Sequence, residues 1–566
     1  MSQTKYRTAP DPNATGWPAG VPYIIGNEGC ERFSFYGMRA ILYVYLAYLM
    51  DDLGGLETKA AEDEATHLYH LFVAGVYALP LIGAIAADRL WGKYNTILWL
   101  SLVYCAGHAC LAIFENSISG FMLGLVLIAV GSGGIKPCVS ANVGDQFGKG
   151  NWHLVERVYQ AFYFIINFGS FFSTLLVPWL KEHYGASVAF AVPGILMGVA
   201  TLFFWLGREK FVHVPAKPGG VLGALDTLSG TLMFFTIGAP MFFGAFFPAF
   251  AALAWFVKLA ISVAFLAAGF AVFALRQRMQ PDDGFLAVLF YALKVRFTGR
   301  EEAPLAVAFV DGSAGAPGVG AAVAADTEGL ASHWFYGPAV RRFGVEAAEG
   351  PWAVLRIALV FAMVTVFWSL FDQHGSSWIR QAELMDRHFD IFGWKFEMLA
   401  SQVAAMNPVL VMMLVPLFGF GLYPGVEKLT GWKMTPLRRM SIGMFVASTA
   451  FVCVALIQIA LEGDPTHPVH VAWQFVPFLL ITVAEVMVSV TGLEFAYTQA
   501  PRRMKSTVMG FWLLTVSFGN ELVAVLARFE GLPLVTFFWL FAGLMAAAAA
   551  IFSVISAFYR YRDYTQ

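Results

Sequence analysis

Roughly fourteen stretches of about twenty apolar residues recur along this 566-residue chain, and no other feature constrains the fold as strongly. Inside hydrocarbon every backbone N–H and C=O must be satisfied within the chain. A helix does this over the whole thickness of a bilayer. The first stretch covers 22–50 and the last 533–558. Hydrophobic residues make up 58% of the chain and charged residues 13%, about half the ~25% usual in soluble domains. The expected class is an all-α integral membrane protein. A net charge of −2 leaves no basic footprint for nucleic acid. The opening "MSQTKYRTAPDPNATGWPAG" is polar and lacks the apolar core of a cleavable signal peptide. Cys30, Cys105, Cys110, Cys138 and Cys453 fall in or beside the apolar stretches without paired spacing, so they read as small core residues. No CxxC, HExxH or Walker spacing occurs, and "GSGGIKP" lacks the phosphate-loop spacing. We expect no metal, no cofactor and no enzymatic activity.

Lys and Arg sort the loops into two sets. "DRLWGKYN", "REKFVHVPAK", "KLTGWKMTPLRRM", "PRRMK" and the tail with Arg560 and Arg562 are basic. Of the alternate loops, "DDLGGLETKAAEDE" is acidic and "EGDPTHPVH" has no Lys or Arg. The positive-inside rule then places both termini in the cytoplasm of a multi-pass protein of the cell (inner) membrane, in contact with lipid. Asn13 begins a glycosylation sequon, but on the wrong side for it. The expected layout is a tail (1–21), a six-helix bundle (22–210), an inserted helix pair (211–280, with spans 223–248 and 252–275), a cytoplasmic linker (281–351) and a second six-helix bundle (352–566). Two bundles hinged about a midplane site are a carrier's plan. Within the linker "GFLAVLFYALKVRF" reads as a short amphipathic helix and "VDGSAGAPGVGAAVAADTEG" as a flexible tether.

Charges inside the apolar stretches demand a reason. Glu28, Glu31 and Arg32 lie at i, i+3 and i+4 of the first stretch, on one helical face. Each costs at least ~2.5–3.5 kcal/mol at the bilayer centre. A structural ion pair needs one acid, not two. Lys136, in "GSGGIKPCVSAN", supplies a second base. If it shares the cavity, two acids and two bases sum to zero, and protonating one glutamate leaves +1. A +1 cavity accepts a carboxylate, so proton and anion binding are coupled by charge balance.

Later stretches add Trp368 and Asp372 in "VFWSLFDQHGSSW", and Glu485 and Glu494 in "ITVAEVMVSVTGLEFAYTQAP". Glu494, near the end of a Gly-interrupted helix, is the expected partner for a substrate ammonium, and Glu485 reads as a polar residue packed between helices. His70 is either a satisfied core histidine or a proton carrier. Of the aromatics Tyr36, Tyr45, Tyr77, Tyr163, Trp368 and Trp512, most serve packing and interface belts, and a minority line the site.

At these residues the chain resembles the proton-coupled oligopeptide transporters of the major facilitator superfamily. "ERFSFYGMRAIL" with Glu28 before it is similar to that family's ExxER signature. "GSGGIKPCVSANVGDQF" and "FYFIINFGSFFST" resemble two further family signatures, and "GAIAADRLWGK" the superfamily's loop between its second and third helices. The resemblance spans nearly the whole chain. It implies two six-helix bundles plus an inserted helix pair, as in bacterial members, and symport of protons with di- and tripeptides. Glu28, Glu31, Arg32, His70 and Asp372 would carry proton coupling. Arg32 and Lys136 would hold the peptide carboxylate, and Asn167 and Glu494 its amino terminus. Tyr36, Tyr45, Tyr77, Tyr163, Trp368 and Asn407 would line the site. Arg39, His70 and Asp372 would form the extracellular gate. A histidine at position 70 is similar to the animal transporters. The linker is longer than in bacterial members and is expected to partly cover the cytoplasmic mouth. No obligate protein partner is evident. Three rivals remain: a carrier of nitrate or another small anion, which needs no ammonium partner; a membrane-embedded enzyme, for which no nucleophile motif is present; and a peptide-binding sensor without net transport.

Overall fold

The computed structural model describes residues 6–239, 250, 252–282, 284–303, 330–500, 505–528 and 532–561. Among the described residues, 14 helices are long and apolar enough to cross a membrane. The tether at 310–329, Arg502, Arg503, Arg562 and the end of the 223–248 span lie outside the described residues.

The first bundle is built from α1 (Val21–Asp52), α2 (Thr58–Ala78) continued by α3 (Pro80–Ala86), α4 (Lys93–Ile113), α5 (Ile118–Asp145), α6 (Val155–Tyr184) and α7 (Ala186–Leu206). Proline at the start of α1 sits where a missing N–H costs nothing. The Ser117 hydroxyl caps α5 by accepting from the Gly120 N–H. Small residues allow a close crossing between α4 and α5. A Cβ on Gly107 would stand 2.8 Å from the Ile128 nitrogen and 2.9 Å from the Gly124 carbonyl, so these backbones meet without side chains between them.

The inserted pair is α8 (Gly220–Gly238) and α9 (Trp255–Met279). Little of it is buried, as befits helices facing lipid. Its anchor is polar: the buried Arg276 donates from Nε to Asp226 at 2.7 Å and pairs with Asp282 at 3.2 Å. Arg89, at the end of the second span, approaches Asp226 at 3.8 Å. There follow α10 (Phe285–Thr298), the amphipathic segment, and α11 (Gly337–Phe343), which packs on it through Tyr291 and Phe343.

The second bundle comprises α12 (Val345–Phe371), α13 (Ser377–Glu383), α14 (Met406–Pro416) continued by α15 (Tyr423–Thr430), α16 (Pro436–Gly463), α17 (Phe475–Glu485) continued by α18 (Thr491–Gln499), α19 (Lys505–Ala527) and α20 (Leu534–Phe558). An antiparallel hairpin, β1 (His388–Ile391) with β2 (Trp394–Glu397), joins α13 to α14 and was not expected. Two spans read from sequence as continuous are interrupted by π turns, at Leu417–Leu422 and Val486–Val490. Such bulges add a residue to one turn and re-aim everything beyond it.

The first and last described residues, Tyr6 and Tyr561, lie at one end of the bundles, called here the terminal end; the other is the distal end. At the distal end the bundles are stitched together. Arg380 binds Glu62 at 2.5 Å and Asp63 at 2.9 Å, Arg528 reaches Glu64 at 3.4 Å, and the Gln402 amide donates to the Leu175 carbonyl at 2.9 Å. Along α2 and α19 the halves pack continuously.

Candidate functional site

The intramembrane charges of α1 converge as their spacing requires. Arg32 Nε donates to Glu28 Oε1 at 2.7 Å and lies 3.3 Å from Glu31 Oε2. Both glutamates are almost fully buried, 1% and 0% exposed, so a single guanidinium serves two carboxylates. Lys136 of α5 stands over the Phe35 ring at 4.0 Å and the Tyr77 ring at 4.2 Å. Its ammonium has no acceptor among the described residues. Aromatic faces hold the cation by their quadrupoles and leave its N–H groups free for an anion. The charges of Arg32 and Glu31 both act on it.

From the second bundle the facing acid is Glu485, at the end of α17. Asn407 donates to its Oε2 at 2.8 Å and to Thr482 Oγ1 at 3.2 Å. The charge of Glu485 acts on Tyr36 of α1 and Tyr163 of α6, so it reaches across the bundle interface. Asn167, one turn beyond Tyr163, donates to that residue's carbonyl at 3.0 Å. Trp368 is 8% exposed, packs edge-on against Trp512, and has an indole N–H without a partner among the described residues.

Toward the distal end a buried network closes over this cluster. Arg39 donates to the Tyr69 hydroxyl at 2.6 Å and to Asp372 at 2.5 Å. Asn520 donates its amide to the other Asp372 oxygen at 2.7 Å. Its carbonyl oxygen therefore faces His70 Nδ1, 2.7 Å away, and Nδ1 must donate. His70 Nε2 meets Ser376 Oγ at 2.7 Å. His70 thus joins Asp372 through Asn520. The Arg39–Asp372, His70–Asn520 and His70–Ser376 links cross between the bundles, while Arg39–Tyr69 lies within the first and Asn520–Asp372 within the second.

Two expected positions are displaced. Glu494 lies away from Arg32 and Lys136: its side chain is 53% exposed and faces Arg439 at 3.7 Å, on a pocket of about 260 Å³ that also includes Tyr423 and Thr491. Glu485 and Glu494 are nine residues apart, about two and a half helical turns, so they leave the helix on opposite sides. The π turn between them alters the phase further. That phase difference was the signal in the sequence; Glu485 packs between helices through Asn407, as expected, and in addition faces the bundle interface. Tyr45 is the second correction. It is 3% exposed, packs on Phe121 and Phe190, and donates its hydroxyl to the Glu115 carbonyl at 3.0 Å, inside the first bundle. Asn520, Ser376, Tyr69 and Thr482 were not anticipated. Neutral polar side chains within apolar runs carry no periodic signal of their own.

Comparison with known proteins identifies the lineage. The profile of the POT family matches residues 94–225 and 343–533. The chain is 29% identical to "Peptide transporter 3" of Caenorhabditis elegans, over 80% of this chain and 52% of the relative. It is 30% identical to "Solute carrier family 15 member 1" of Canis lupus familiaris, over 80% of this chain and 53% of the relative. It therefore spans about half the length of several curated relatives it matches. Among solved structures, an auto-inhibited POT family peptide transporter is 36% identical, with TM-score 0.74 over 97% of this chain and 99% of that one. A proton dependent oligopeptide (POT) family transporter is 37% identical, with TM-score 0.66 over 94% and 100%. With its fourteen spans, its two bundles and the ExxER face of α1 at their interface, the chain belongs to the POT family of membrane transporters.

Proposed function

We propose that this protein is a proton-coupled symporter that imports di- and tripeptides across the cell membrane by alternating access, with both termini in the cytoplasm. The observation that carries the reading is the dipole across the bundle interface. One side holds Arg32 and the aromatic-caged Lys136, balanced by Glu28 and Glu31. The other holds Glu485, oriented by Asn407. A peptide zwitterion matches it: carboxylate to Arg32 and Lys136, ammonium to Glu485, with Asn167 and Tyr163 beside that end. A proton on Glu28 or Glu31 weakens the hold on Arg32 and leaves the cluster at +1, which the substrate carboxylate then neutralises. Peptide binding and protonation favour one another because each completes the other's charge. The names of the relatives support the substrate class. A carrier of nitrate would gain nothing from Glu485.

Stitching at the distal end corresponds to the inward-facing arrangement. Opening outward requires the Arg39–Asp372 pair and the Arg380 bridges to part, and proton transfer to the His70–Asn520–Asp372 network would loosen the first of these. Alanine at Glu28 or Glu31 tests the coupling. We expect peptide exchange between two equal pools to persist in both variants while uptake driven by a proton gradient is lost. A variant that retained full proton-driven uptake would remove that residue from the mechanism.

A further inference from the structure

Behind Glu31, on the side away from the second bundle, the middle of the first bundle is polar. α1 packs along α5 and α7, and so does α4. α1 and α4 thus face each other across the centre of a four-helix group. Ser101, Tyr104 and His108 fall on one face of α4, at spacings of three and four, and all are fully buried. Glu31 and Ser34 form the matching face of α1. One hydrogen bond joins them and fixes their register. His108 Nε2 meets Ser34 Oγ at 2.9 Å. The two helices are the first and third spans and run in the same direction, so Tyr104, one turn before His108, stands level with Glu31, one turn before Ser34. The Tyr104 and His108 rings stack at 5.2 Å and 14°. On the outer side Gly194 of α7 packs directly against His108, so the file ends there.

In this file both Glu31 oxygens, the Tyr104 hydroxyl, His108 Nδ1 and the Ser101 hydroxyl have no hydrogen-bond partner among the described residues. Native interiors seldom leave so many polar atoms unpaired together, and one enclosed water satisfies two to four of them. The titratable groups around Glu31 are Glu28, Arg32 and Tyr36 on α1, Tyr104 on α4 and Lys136 on α5, with Cys105 beside Tyr104. The faces of α6 and α7 packed on this part of α1 bring Ile165, Gly169 and Phe203, none of which titrates.

We propose that Tyr104 and His108 are positioning residues for the proton on Glu31, forming with one or two enclosed waters a hydrogen-bonded annex on the side of Glu31 away from the peptide. This rests on the proton-coupled reading above. When Glu31 is ionised, the Tyr104 hydroxyl donates through water towards the carboxylate. When Glu31 is protonated, its O–H donates into the same water, and the stronger charge-assisted bond to the carboxylate is given up. His108 keeps the Tyr104 ring in place and offers Nδ1 as the water's further partner. The protonation of Glu31 is then governed from within the bundle, and a peptide filling the interface does not compete for those hydrogen bonds.

The test is the pH profile of proton-driven dialanine uptake in proteoliposomes for the wild type, Tyr104→Phe, His108→Phe (which keeps a stacked ring) and Leu102→Ala, a lipid-facing control on α4. Removing the donor disfavours the ionised carboxylate, so Glu31 should hold its proton to higher pH. We expect the midpoint of the Tyr104→Phe and His108→Phe profiles to move alkaline by about half a pH unit or more. The dialanine KM at the acid end should stay within about twofold, and Leu102→Ala should match the wild type. Profiles that superimpose on the wild type overturn the annex. So does an equal loss of rate at every pH, which marks a packing role. If wild-type uptake itself ignores a protonophore, the coupling reading fails first and the annex with it. Should Tyr104→Phe not reach the membrane folded, His108→Phe alone decides.

Discussion

At the scale of single residues, Glu28, Glu31 and Arg32 were legible because three charges in an apolar run admit few explanations, and i, i+3, i+4 spacing fixes their common face. Lys136 was legible as the missing base, but its cage of Phe35 and Tyr77 was not, since those rings come from other helices. Glu485 packs between helices through Asn407, as expected from the sequence, but its orientation toward the bundle interface was not anticipated. The consequence is measurable. Glu485→Gln should raise the dialanine KM by about tenfold or more, the effect of losing one charge-assisted hydrogen bond. Glu494→Gln, which removes a half-exposed charge facing Arg439, should change KM by less than about twofold. Tyr45→Phe should leave uptake intact and cost about 1 kcal/mol of stability, the worth of its bond to the Glu115 carbonyl, read from a melting curve.

At the scale of elements, the spans were legible from apolar run length alone, since length and hydropathy decide what crosses a bilayer. The π turns at Leu417–Leu422 and Val486–Val490 and the hairpin at His388–Glu397 were not. Each depends on packing rather than local composition. The distal seam carries its own prediction. Glu62, Asp63 and Glu64 belong to α2, while Arg380 and Arg528 come from the other half. Partly exposed pairs of this kind are worth under about 1 kcal/mol each. Arg380→Glu replaces attraction with repulsion and should widen the distribution of distances between spin labels placed at Leu56 and Thr466. An unchanged distribution would mean that the seam does not hold the bundles. At the terminal end, α10 and α11 are tied by exposed pairs. The hydrogen bond from Arg341 holds the Glu301 carboxyl below its ordinary value, and that from Lys294 does the same for Glu302. A depressed carboxylate stabilises above its unfolded value and loses that contribution as pH falls through the folded one. Amide protection in α10 should therefore decline on acidification while that of α12 persists, as hydrogen exchange would show.

At the scale of the whole molecule, the two-bundle plan with an inserted pair follows from the order and spacing of the spans. The relation between the bundles does not. The Arg39–Asp372 and His70–Asn520 contacts join residues more than three hundred positions apart, and no periodicity announces them. They close the molecule at the distal end. One charge moving through about 100 mV releases ~2.3 kcal/mol, enough for a gradient of roughly fiftyfold per proton. That energy reaches the peptide only if protonation and carboxylate binding share the Glu28–Glu31–Arg32–Lys136 cluster. The most direct measurement is accumulation of labelled dialanine in proteoliposomes, with and without an inward proton gradient. We predict accumulation above the outside concentration that collapses when a protonophore is added. Dialanine that merely equilibrates regardless of the gradient, or that binds without entering, would contradict the account.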